Sequence, residues 1–277
     1  MSQDLRYLAS HFPFGENWAA YTNKVSAIEI AEAEKSLLRL LGGERLDSQH
    51  FLDIGSGSGL HSLAALRLGA REVVAIDIDP ISAATTRALL ERYAPTGVWR
   101  VENASVFELN PGAWGTFDVV YSWGVLHHTG DLLNALRSAA AMVSIGGRFV
   151  FALYRRTWLD WFWQREKRWY ASASSETQRR ARAVYAVLLR FRLWATGRSF
   201  RRYVDEYRTK RGMDFYHDVH DWMGGWPYES IEPDEVDMLM HKLGFASVAI
   251  FAHNGRFLGR SLGVLGSGCS EYVYRRV

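Results

Sequence analysis

Three glycines alternate with serines directly after a short apolar segment that carries one carboxylate. The segment is Phe51–Leu60 (FLDIGSGSGL), in which Gly55, Gly57 and Gly59 follow Asp53. Glycine has no Cβ, so its backbone can approach a ligand closely and can adopt positive φ angles. A helix that starts just after such a turn presents free backbone N–H groups to the ligand. The spacing therefore predicts a nucleotide-like binding loop between a buried strand and a helix.

The carboxylate and the glycine spacing favour one kind of cofactor over another. Dinucleotide-binding loops read G-x-G-x-x-G, and Leu60 stands where their last glycine belongs. Asp53 would repel a pyrophosphate but would attract a cation. S-adenosylmethionine carries a sulfonium and an ammonium group and no phosphate. The loop thus favours S-adenosylmethionine, and an NAD(P)-dependent oxidoreductase is the alternative.

Other groups suited to binding or proton transfer follow apolar segments later in the chain. Asp77 lies in the segment Glu72–Ile78 (EVVAIDI), and a carboxylate there can accept paired hydrogen bonds. His127 and His128 follow a fourth apolar segment. Histidine titrates near neutral pH, so either could act as a general base if the acceptor must lose a proton. The alternative is that one of them packs against the cofactor.

A second polar cluster lies in the sequence FYHDVHDW, which contains His217, Asp218, His220 and Asp221. If this segment is helical, His217, His220 and Asp221 share one face. That spacing can bind a metal, but ordinary hydrogen bonding explains it as well. We predict no metal, and we predict that His217 or Asp218 binds the substrate or acts as a base.

Alternating strands and helices must position these groups. Branched and apolar segments predict strands at Phe51–Ile54, Glu72–Ile78, Val98–Val101, Phe117–Ser122 and Gly147–Tyr154. Helical spacing predicts helices at Ser26–Leu41, Leu60–Leu68, Pro80–Tyr93 and Asp131–Met142. This alternation predicts a doubly wound, mostly parallel α/β sheet with helices on both faces.

The remaining chain predicts an insertion and a closing pair of strands. Arginines, lysines and tryptophans interrupt the alternation after the fifth strand, and Arg179–Trp194 has helical spacing, with Val184, Val187, Leu188, Phe191 and Leu193 as its apolar set. A helix from Pro233 to Gly244 follows. Strands at Phe245–Ala252 and Glu271–Arg275, joined by a glycine-rich connection (Gly255, Gly259, Gly263, Gly266 and Gly268), complete a seven-stranded sheet whose last strand is antiparallel.

The order of four motifs resembles the class I, Rossmann-like S-adenosylmethionine-dependent methyltransferases of the small-molecule branch. The motifs are FLDIGSGSG, VVAIDIDP, FDVVYSWGVLHHTGD and NALRSAAAMVSIGGRFVFAL, and they span about residues 45–155. Two departures stand out. Ile145 replaces the usual proline before Gly146 and Gly147, and no Asp-Pro-Pro-Tyr-like sequence follows the fourth strand. The second departure speaks against methylation of nucleobase amines.

The resemblance implies a role for each matching residue. Asp53 and the loop Gly55, Ser56, Gly57 and Gly59 would face the methionine part, Asp77 the ribose hydroxyls and Ile78 the adenine face. Asn103, Ala104 and Ser105 would contact the adenine edge, and Ser122, Trp123 and His127 would lie near the methyl group. The chain would consist of an N-terminal helical cap (1–45), a cofactor-binding core (46–154), an insertion that forms a substrate lid (155–230) and a C-terminal part (231–277).

Aromatic residues on both sides of this core predict the acceptor pocket. Phe14, Trp18 and Tyr21 could close it from the N-terminal side, and Trp222 and Trp226 stand beside glycines that could form a pocket wall. For all of them, core packing is the alternative. The predicted reaction is methyl transfer to an oxygen or nitrogen of a small molecule, which depends mainly on positioning. The alternatives are a lipid-like acceptor and a protein that holds S-adenosylmethionine without catalysis.

Charge and cysteine content limit partners and location. Among 277 residues the net charge is +3, but residues 155–211 hold 16 basic and 5 acidic side chains. Such a basic, aromatic segment predicts a solvated helical face or a peripheral contact with an anionic membrane, and nucleic acid is disfavoured because no RNA-binding module accompanies it. One cysteine, Cys269, and no secretory signal or membrane span predict a cytoplasmic protein. The oligomeric state is not predicted.

Overall fold

A seven-stranded sheet forms the centre of the computed structural model, which describes residues 5–7, 11–22, 25–207, 214–251, 263 and 268–277. The strands are β1 (His50–Ile54), β2 (Glu72–Asp77), β3 (Trp99–Asn103), β4 (Phe117–Trp123), β5 (Val143–Tyr154), β6 (Phe245–Phe251) and β7 (Cys269–Arg276). Their order is β3-β2-β1-β4-β5-β7-β6, and within this sheet β7 alone is reversed. The predicted topology is confirmed, although β5 begins earlier than the predicted Gly147.

Helices cover both faces of the sheet in the described chain. They are α1 (Phe14–Thr22), α2 (Ala27–Leu40), α3 (Leu60–Arg67), α4 (Pro80–Tyr93), α5 (Pro111–Trp114), α6 (Leu132–Ala141), α7 (Asp160–Ser172), α8 (Ser175–Ala195), α9 (Phe200–Asp205), α10 (Phe215–Gly224) and α11 (Pro233–Lys242). One apolar cluster joins α6 and α11 to the sheet, and a second joins α2, α3 and α4 to its other face. No described helix is long and apolar enough to cross a membrane.

Local sequence explains where the helices next to the glycine loop begin. Asp79 caps α4 by accepting a hydrogen bond from the N–H of Ile81, and Pro80 takes the first helical position, where no N–H is needed. Ser26 and Glu29 form a reciprocal capping box at the start of α2. These caps fix the ends of the helices that pack beside the loop.

The N-terminal aromatic segment contains the first helix, because Phe14–Thr22 forms α1. The aromatic ring of Phe12 is buried in the apolar cluster of the insertion and anchors the start of this helix. Pro13 lies just before the first turn, where its missing N–H costs nothing.

The insertion after β5 is helical, as expected, and its described residues form a small apolar core of their own. Tyr170, Leu193 and Phe215 pack in this core together with Phe12. The buried ammonium of Lys167 on α7 donates a hydrogen bond to the carbonyl of Trp222 near the end of α10 and lies 4.2 Å from the centre of the Trp222 ring. Because helix C-termini carry unpaired carbonyls, a cation there stabilises the contact between the two helices.

The buried face predicted for α8 needs correction, and part of the predicted glycine-rich connection lies outside the described residues. Four of the five residues in the apolar set assigned to α8 are 56–65% exposed, namely Val184, Val187, Leu188 and Phe191. The helix buries Leu193, as expected, together with Leu189, because α8 has apolar residues on two faces and its periodicity alone does not show which face is inward. In the glycine-rich connection, Gly255, Gly259 and Gly266 lie outside the described residues.

Candidate active site

The glycine loop turns sharply between β1 and α3 with left-handed backbone angles. The φ angles of Gly55, Gly57 and Gly59 are 75°, 54° and 80°, which residues with a Cβ adopt only with strain. The N–H groups of Gly55 and Ser56 both donate to the carbonyl of Ile76 on β2, at 2.8 and 3.0 Å. The loop is therefore held against the end of the neighbouring strand, with its backbone lining a large cavity.

Asp77 links this loop to the start of α4. One carboxylate oxygen accepts a hydrogen bond from the N–H of Gly57 at 3.0 Å, and the other accepts from the N–H of Asp79 at 2.9 Å. Burial raises the pKa of Asp77 to about 6, against the effect of these two hydrogen bonds. A carboxylate has about four lone-pair positions, so about two are left for further donors from the cavity. Asp79, and not Asp77, is the residue that caps helix α4.

Asp53 lies behind the loop, among buried residues rather than along the cavity. Its carboxylate accepts a hydrogen bond from the hydroxyl of Ser62 on α3 at 2.6 Å. Burial raises the pKa of Asp53 to about 7, and the charge of Asp77 adds to this shift. Asp53 therefore ties β1 to α3, and a role for it toward a cationic ligand stays a prediction.

The segment after β3 closes one side of the cavity. The side-chain amide of Asn103 donates to the carbonyls of Asp77 and Ile78, both at 2.9 Å. Ile78, Ala104 and Ser105 line the cavity itself. Asn103 thus positions the end of β2, and the two residues after it present the surface where the adenine edge was predicted.

The two residues predicted at the end of β4 face different surroundings. Ser122 is buried, and its hydroxyl donates to the carbonyl of Ile54 at 3.1 Å, which fixes β4 against the end of β1. Trp123 lines the cavity, and its indole N–H donates to Glu271 on β7 at 3.0 Å. The same Glu271 accepts two hydrogen bonds from Arg39. Trp123 is therefore the residue of this pair that a ligand can reach.

Helix α1 lies over the glycine loop and joins it to the insertion. The N–H of Gly15 donates to Asp79 at 2.9 Å, and a Cβ on Gly57 would lie 3.2 Å from the Trp18 indole. On its other side, the amide of Asn17 donates to the carbonyl of His217 at 3.1 Å and lies 3.4 Å from a carboxylate oxygen of Asp221. Helix α1 of the N-terminal segment therefore contacts both the glycine loop and helix α10 of the insertion.

A single continuous cavity runs beneath α1 from the glycine loop to the insertion. Its volume of about 1580 Å³ exceeds the roughly 300–1,000 Å³ of a pocket for one ligand. Loop residues such as Gly57 and strand-end residues such as Asp77 line one part, and Asp218, Asp221 and Trp222 of α10 line the other. The space suits two ligands side by side, one at each part.

The two neighbouring histidines, His127 and His128, have different surroundings. His128 lines the cavity, with Nδ1 2.7 Å from the carbonyl of Pro227, and burial lowers its pKa to about 3. His127 is fully buried beneath the ring of Tyr154 and does not line the cavity. Burial and the nearby His128 and Lys167 lower the pKa of His127, so both imidazoles are neutral at pH 7. The structure does not bring His127 to the position predicted for it.

The second polar cluster lies on helix α10, as its spacing predicted. His217 pairs through Nδ1 with the side-chain oxygen of Asn17 at 2.9 Å and does not line the cavity, whereas Asp218 does and accepts a hydrogen bond from the hydroxyl of Tyr207. His220 pairs with Tyr170 in the core of the insertion. No group of three metal-ligating side chains occurs among the described residues.

Asp221 was named from the sequence only as part of a possible metal-binding face and not as an acid–base group. Its carboxylate lines the cavity next to Trp222. Burial, together with the neighbouring charge of Asp218, raises the pKa of Asp221 to about 7. A raised pKa in a cavity is typical of acid–base groups. The i, i+4 spacing places Asp221 on the same helix face as His217, but only the tertiary structure shows that Asp221 borders the cavity and His217 does not.

The predicted aromatic residues divide into cavity walls and core. Phe14, Trp18, Tyr21 and Trp222 line the cavity. Trp226 is not among the lining residues and packs instead with the cluster around Tyr154. Aromatic faces therefore border the cavity from both α1 and α10.

Gly15→Ala is expected to loosen α1 from the site. The added Cβ would lie 2.6 Å from the carboxylate of Asp79, so helix α1 must shift and weaken the Gly15–Asp79 hydrogen bond. Overpacking of this kind costs about 1–3 kcal/mol. Hydrogen exchange should show faster exchange in residues 14–22. Gly112→Ala is the matched control, since its Cβ would meet its nearest neighbour at 3.4 Å. Unchanged exchange in Gly15→Ala would contradict this anchoring role.

Comparisons with known proteins agree with this geometry. Residues 52–151 match the model of a family described as "Methyltransferase domain". The ubiquinone biosynthesis O-methyltransferase of Methylobacterium sp. (strain 4-46) is 34% identical over 117 residues, which is 42% of this chain and 45% of that protein. The ribosomal protein L11 methyltransferase of Exiguobacterium sp. (strain ATCC BAA-1283 / AT1b) is 32% identical over 104 residues, 38% of this chain and 31% of that protein. The matches thus span less than half the length of these relatives.

Solved structures share the fold across most of the chain. Magnesium protoporphyrin IX methyltransferase from Synechocystis PCC 6803, with bound SAM, aligns over 91% of this chain and 81% of its own, with a TM-score of 0.51 and 11% identity. A putative S-adenosylmethionine-dependent methyltransferase from Listeria monocytogenes aligns over 89% and 99%, with a TM-score of 0.52 and 12% identity. The fold is that of the class I, Rossmann-like methyltransferases. The match over residues 52–151 confirms, for that part of the chain, the methyltransferase resemblance that the four motifs predicted.

Proposed function

We propose that this protein transfers the methyl group of S-adenosylmethionine to an oxygen or nitrogen of a small-molecule acceptor. The observation that carries the proposal is the continuous cavity that joins the glycine loop to the carboxylates of α10. S-adenosylmethionine supplies a methyl group already activated on a sulfonium. The protein must therefore position two ligands and exclude water, which a cavity under a covering helix can do.

The loop end of the cavity fits the cofactor. Asp77 keeps acceptor positions for a pair of hydroxyl groups, and Ile78, Ala104 and Ser105 form a surface beside it. Trp18 and Trp123 border the same end of the cavity. We assign the ribose contact to Asp77 and the methionine contacts to the backbone of residues 55–57.

The insertion end fits an acceptor that donates hydrogen bonds. Among the described residues of the basic segment, only Arg192 adds a positive charge to the cavity lining, beside Asp218 and Asp221. Carboxylates accept hydrogen bonds from hydroxyl or amine groups, and aromatic walls suit a planar or apolar body. We infer a neutral or cationic acceptor with a hydroxyl or amine group at the reacting end.

Asp221 is the general base that we propose for such an acceptor. A base works best when its pKa lies near the working pH, and the pKa of Asp221 is raised to about 7 by burial. His128 also lines the cavity, but its pKa of about 3 makes it a weak base at neutral pH. Asp218 remains a candidate for binding the acceptor. His127 and His217 have no support from their positions, because neither borders the cavity.

Equilibrium titration distinguishes this proposal from its alternatives. Calorimetry with S-adenosylmethionine should show one site per chain, and NADH should show none. Binding of NADH without S-adenosylmethionine would instead indicate an oxidoreductase. Methyl-labelled S-adenosylmethionine should then be offered with a panel of phenols, sugars, amines and carboxylic acids. Label transfer to a phenol, sugar or amine is expected, whereas binding without transfer to any of them would favour a non-catalytic binding protein.

Contact with a membrane and a lipid-like acceptor, both predicted from the sequence, are separate proposals. Contact with a membrane through residues 155–211 is supported by the exposed apolar residues of α8. A lipid-like acceptor would be presented at that surface, and extraction of label into the lipid phase of the same assay would identify it. The cytoplasmic location predicted from cysteine content also remains a proposal.

A further inference from the structure

Helix α8 has an apolar face that points away from the protein. Val184, Val187, Leu188, Phe191 and Trp194 are 56–72% exposed and form what we call the outer face of α8. Their spacing of three, four and seven residues places them along one stripe, since a helix turns about 100° per residue. Leu189 and Leu193 lie on the opposite side of the helix and are buried. Solvation does not explain five large apolar side chains in one exposed row.

Positive charge borders this stripe. Arg190 and Arg192 are exposed, and at about 100° per residue they fall on opposite flanks of the outer face. The surrounding residues 155–211 carry a net charge of +11, from 16 basic and 5 acidic side chains. Arginine can extend its guanidinium away from an apolar surface while its stem stays on it. An apolar stripe with cationic flanks fits a layer whose inside is apolar and whose surface is anionic.

We propose that the outer face of α8 binds the surface of an anionic membrane, with the helix lying in the plane of the lipid headgroups. From Val184 to Trp194 the apolar stripe is about 15 Å long at 1.5 Å per residue. The apolar side chains would enter the boundary between headgroups and acyl chains, and the flanking arginines would contact lipid phosphates. This binding does not depend on the methyl-transfer proposal.

The composition of the face favours a membrane over the other occupants. Nucleic acid would need cations along the middle of the contact, but the middle of this face is apolar and holds Val184, Leu188 and Phe191. A second copy of this chain would bring the arginine flanks of both copies together, and like charges repel. On α7, Trp161 and Trp169 are 57% and 50% exposed, and tryptophan is a residue type enriched at membrane interfaces.

The same helix also forms part of the cavity wall. Tyr185, Leu189 and Arg192 of α8 line the cavity, whereas Leu188 and Phe191 belong to the outer face. One helix thus separates the insertion end of the cavity from the proposed membrane surface. The distance between the cavity and a membrane bound at the outer face would therefore be about the width of one helix.

Vesicle sedimentation tests the proposal with the full-length protein. The protein should sediment with vesicles of phosphatidylcholine and phosphatidylserine, bind vesicles of phosphatidylcholine alone at least tenfold more weakly, and dissociate as salt is raised. The triple variant Val187→Ser, Leu188→Ser, Phe191→Ser should reduce the partition coefficient on the anionic vesicles at least tenfold. Titration with S-adenosylmethionine and circular dichroism establish that this variant is folded.

A matched control uses two apolar residues that are exposed elsewhere. Val98 and Ile145 are 62% and 75% exposed, and the double variant Val98→Ser, Ile145→Ser should bind vesicles like the wild type. Equal binding of the triple variant and the wild type would overturn the proposal. So would tighter binding to duplex RNA than to anionic vesicles, or a wild-type dimer in analytical ultracentrifugation that the triple variant converts to a monomer.

Discussion

Asp221→Asn is expected to lower turnover by about 10²–10⁴-fold, the usual contribution of a general base. Asparagine keeps the size of the side chain and an oxygen to accept the amide of Asn17, which lies 3.4 Å from the Asp221 carboxylate. It cannot take up a proton from the acceptor. Turnover should be measured with the best acceptor from the label-transfer panel. The Kd for S-adenosylmethionine should stay the same, since the contacts proposed for the cofactor lie at the loop end of the cavity.

The same substitution should make the protein more stable above neutral pH. Burial raises the pKa of Asp221 from 3.8 to about 7, so between these values the folded state holds a proton that the unfolded state has released. The free energy of unfolding of the wild type therefore falls as pH rises through this window. Asparagine has no charge to bury. Urea titrations should give a higher free energy of unfolding for Asp221→Asn at pH 8 and equal values near pH 4.

Opposite effects on turnover and stability distinguish a functional carboxylate from a structural one. Asp205→Asn serves as the matched control, because Asp205 lies exposed in the same insertion and pairs only loosely with Arg201 at 3.9 Å. This control should leave both turnover and stability unchanged. If Asp221→Asn retained wild-type turnover, Asp221 would not be the base. If Asp221→Asn destabilised the protein at pH 8, the carboxylate would have a structural role through its hydrogen bonds.

Asp77→Asn is expected to weaken S-adenosylmethionine binding by about 100-fold. Two hydrogen bonds from the ribose to a charged acceptor contribute about 1.5 kcal/mol each, and about 3 kcal/mol is about 100-fold in Kd. An asparagine also turns an N–H₂ group toward a backbone donor, either the N–H of Gly57 or that of Asp79. Either Gly57 in the loop or Asp79 at the start of α4 then loses the acceptor of its N–H. Calorimetry with S-adenosylmethionine measures the loss directly.

The pH dependence of cofactor binding provides a second measurement of the same group. Burial raises the pKa of Asp77 to about 6. Below that pH the carboxyl is protonated and accepts hydrogen bonds weakly, so the affinity of the wild type should fall as pH is lowered through 6. Asp77→Asn should remove this dependence.

A strand carboxylate away from the cavity controls for general effects of charge removal. Asp118 on β4 accepts a hydrogen bond from the N–H of His50 at 2.8 Å and does not line the cavity. Asp118→Asn keeps that hydrogen bond and should bind S-adenosylmethionine like the wild type. An affinity of Asp77→Asn within threefold of the wild type would contradict the ribose role.

The cofactor half of the site was predictable because it is built from contiguous sequence. The loop at residues 55–59 needs glycine at positive φ, and it lies between a strand and a helix that are adjacent in the chain. Asp77 ends the next strand, and parallel neighbours bring their carboxyl ends to one edge of the sheet. Alternation of apolar segments thus predicted the mostly parallel sheet and the edge at which the glycine loop and Asp77 meet.

The acceptor half depended on contacts between distant segments, which spacing cannot reveal. Asn17 and Asp221 are far apart in the chain but meet where α1 packs on α10. His127 and His128 are neighbours with the same chemistry, yet one is buried and the other borders the cavity. A short 3₁₀ turn at residues 126–128 directs the two side chains to different surroundings. The residue types alone do not predict which histidine is buried.

Sequence alone predicted the mostly parallel α/β sheet, the glycine loop and the position of Asp77 beside that loop, because each follows from local backbone geometry and a repeated strand–helix order. Only the tertiary structure decided which face of α8 is buried and which carboxylate of α10 borders the cavity. Both helices carry apolar or ionisable residues on more than one face. The partner against which each helix packs selects among them, and that partner lies elsewhere in the chain.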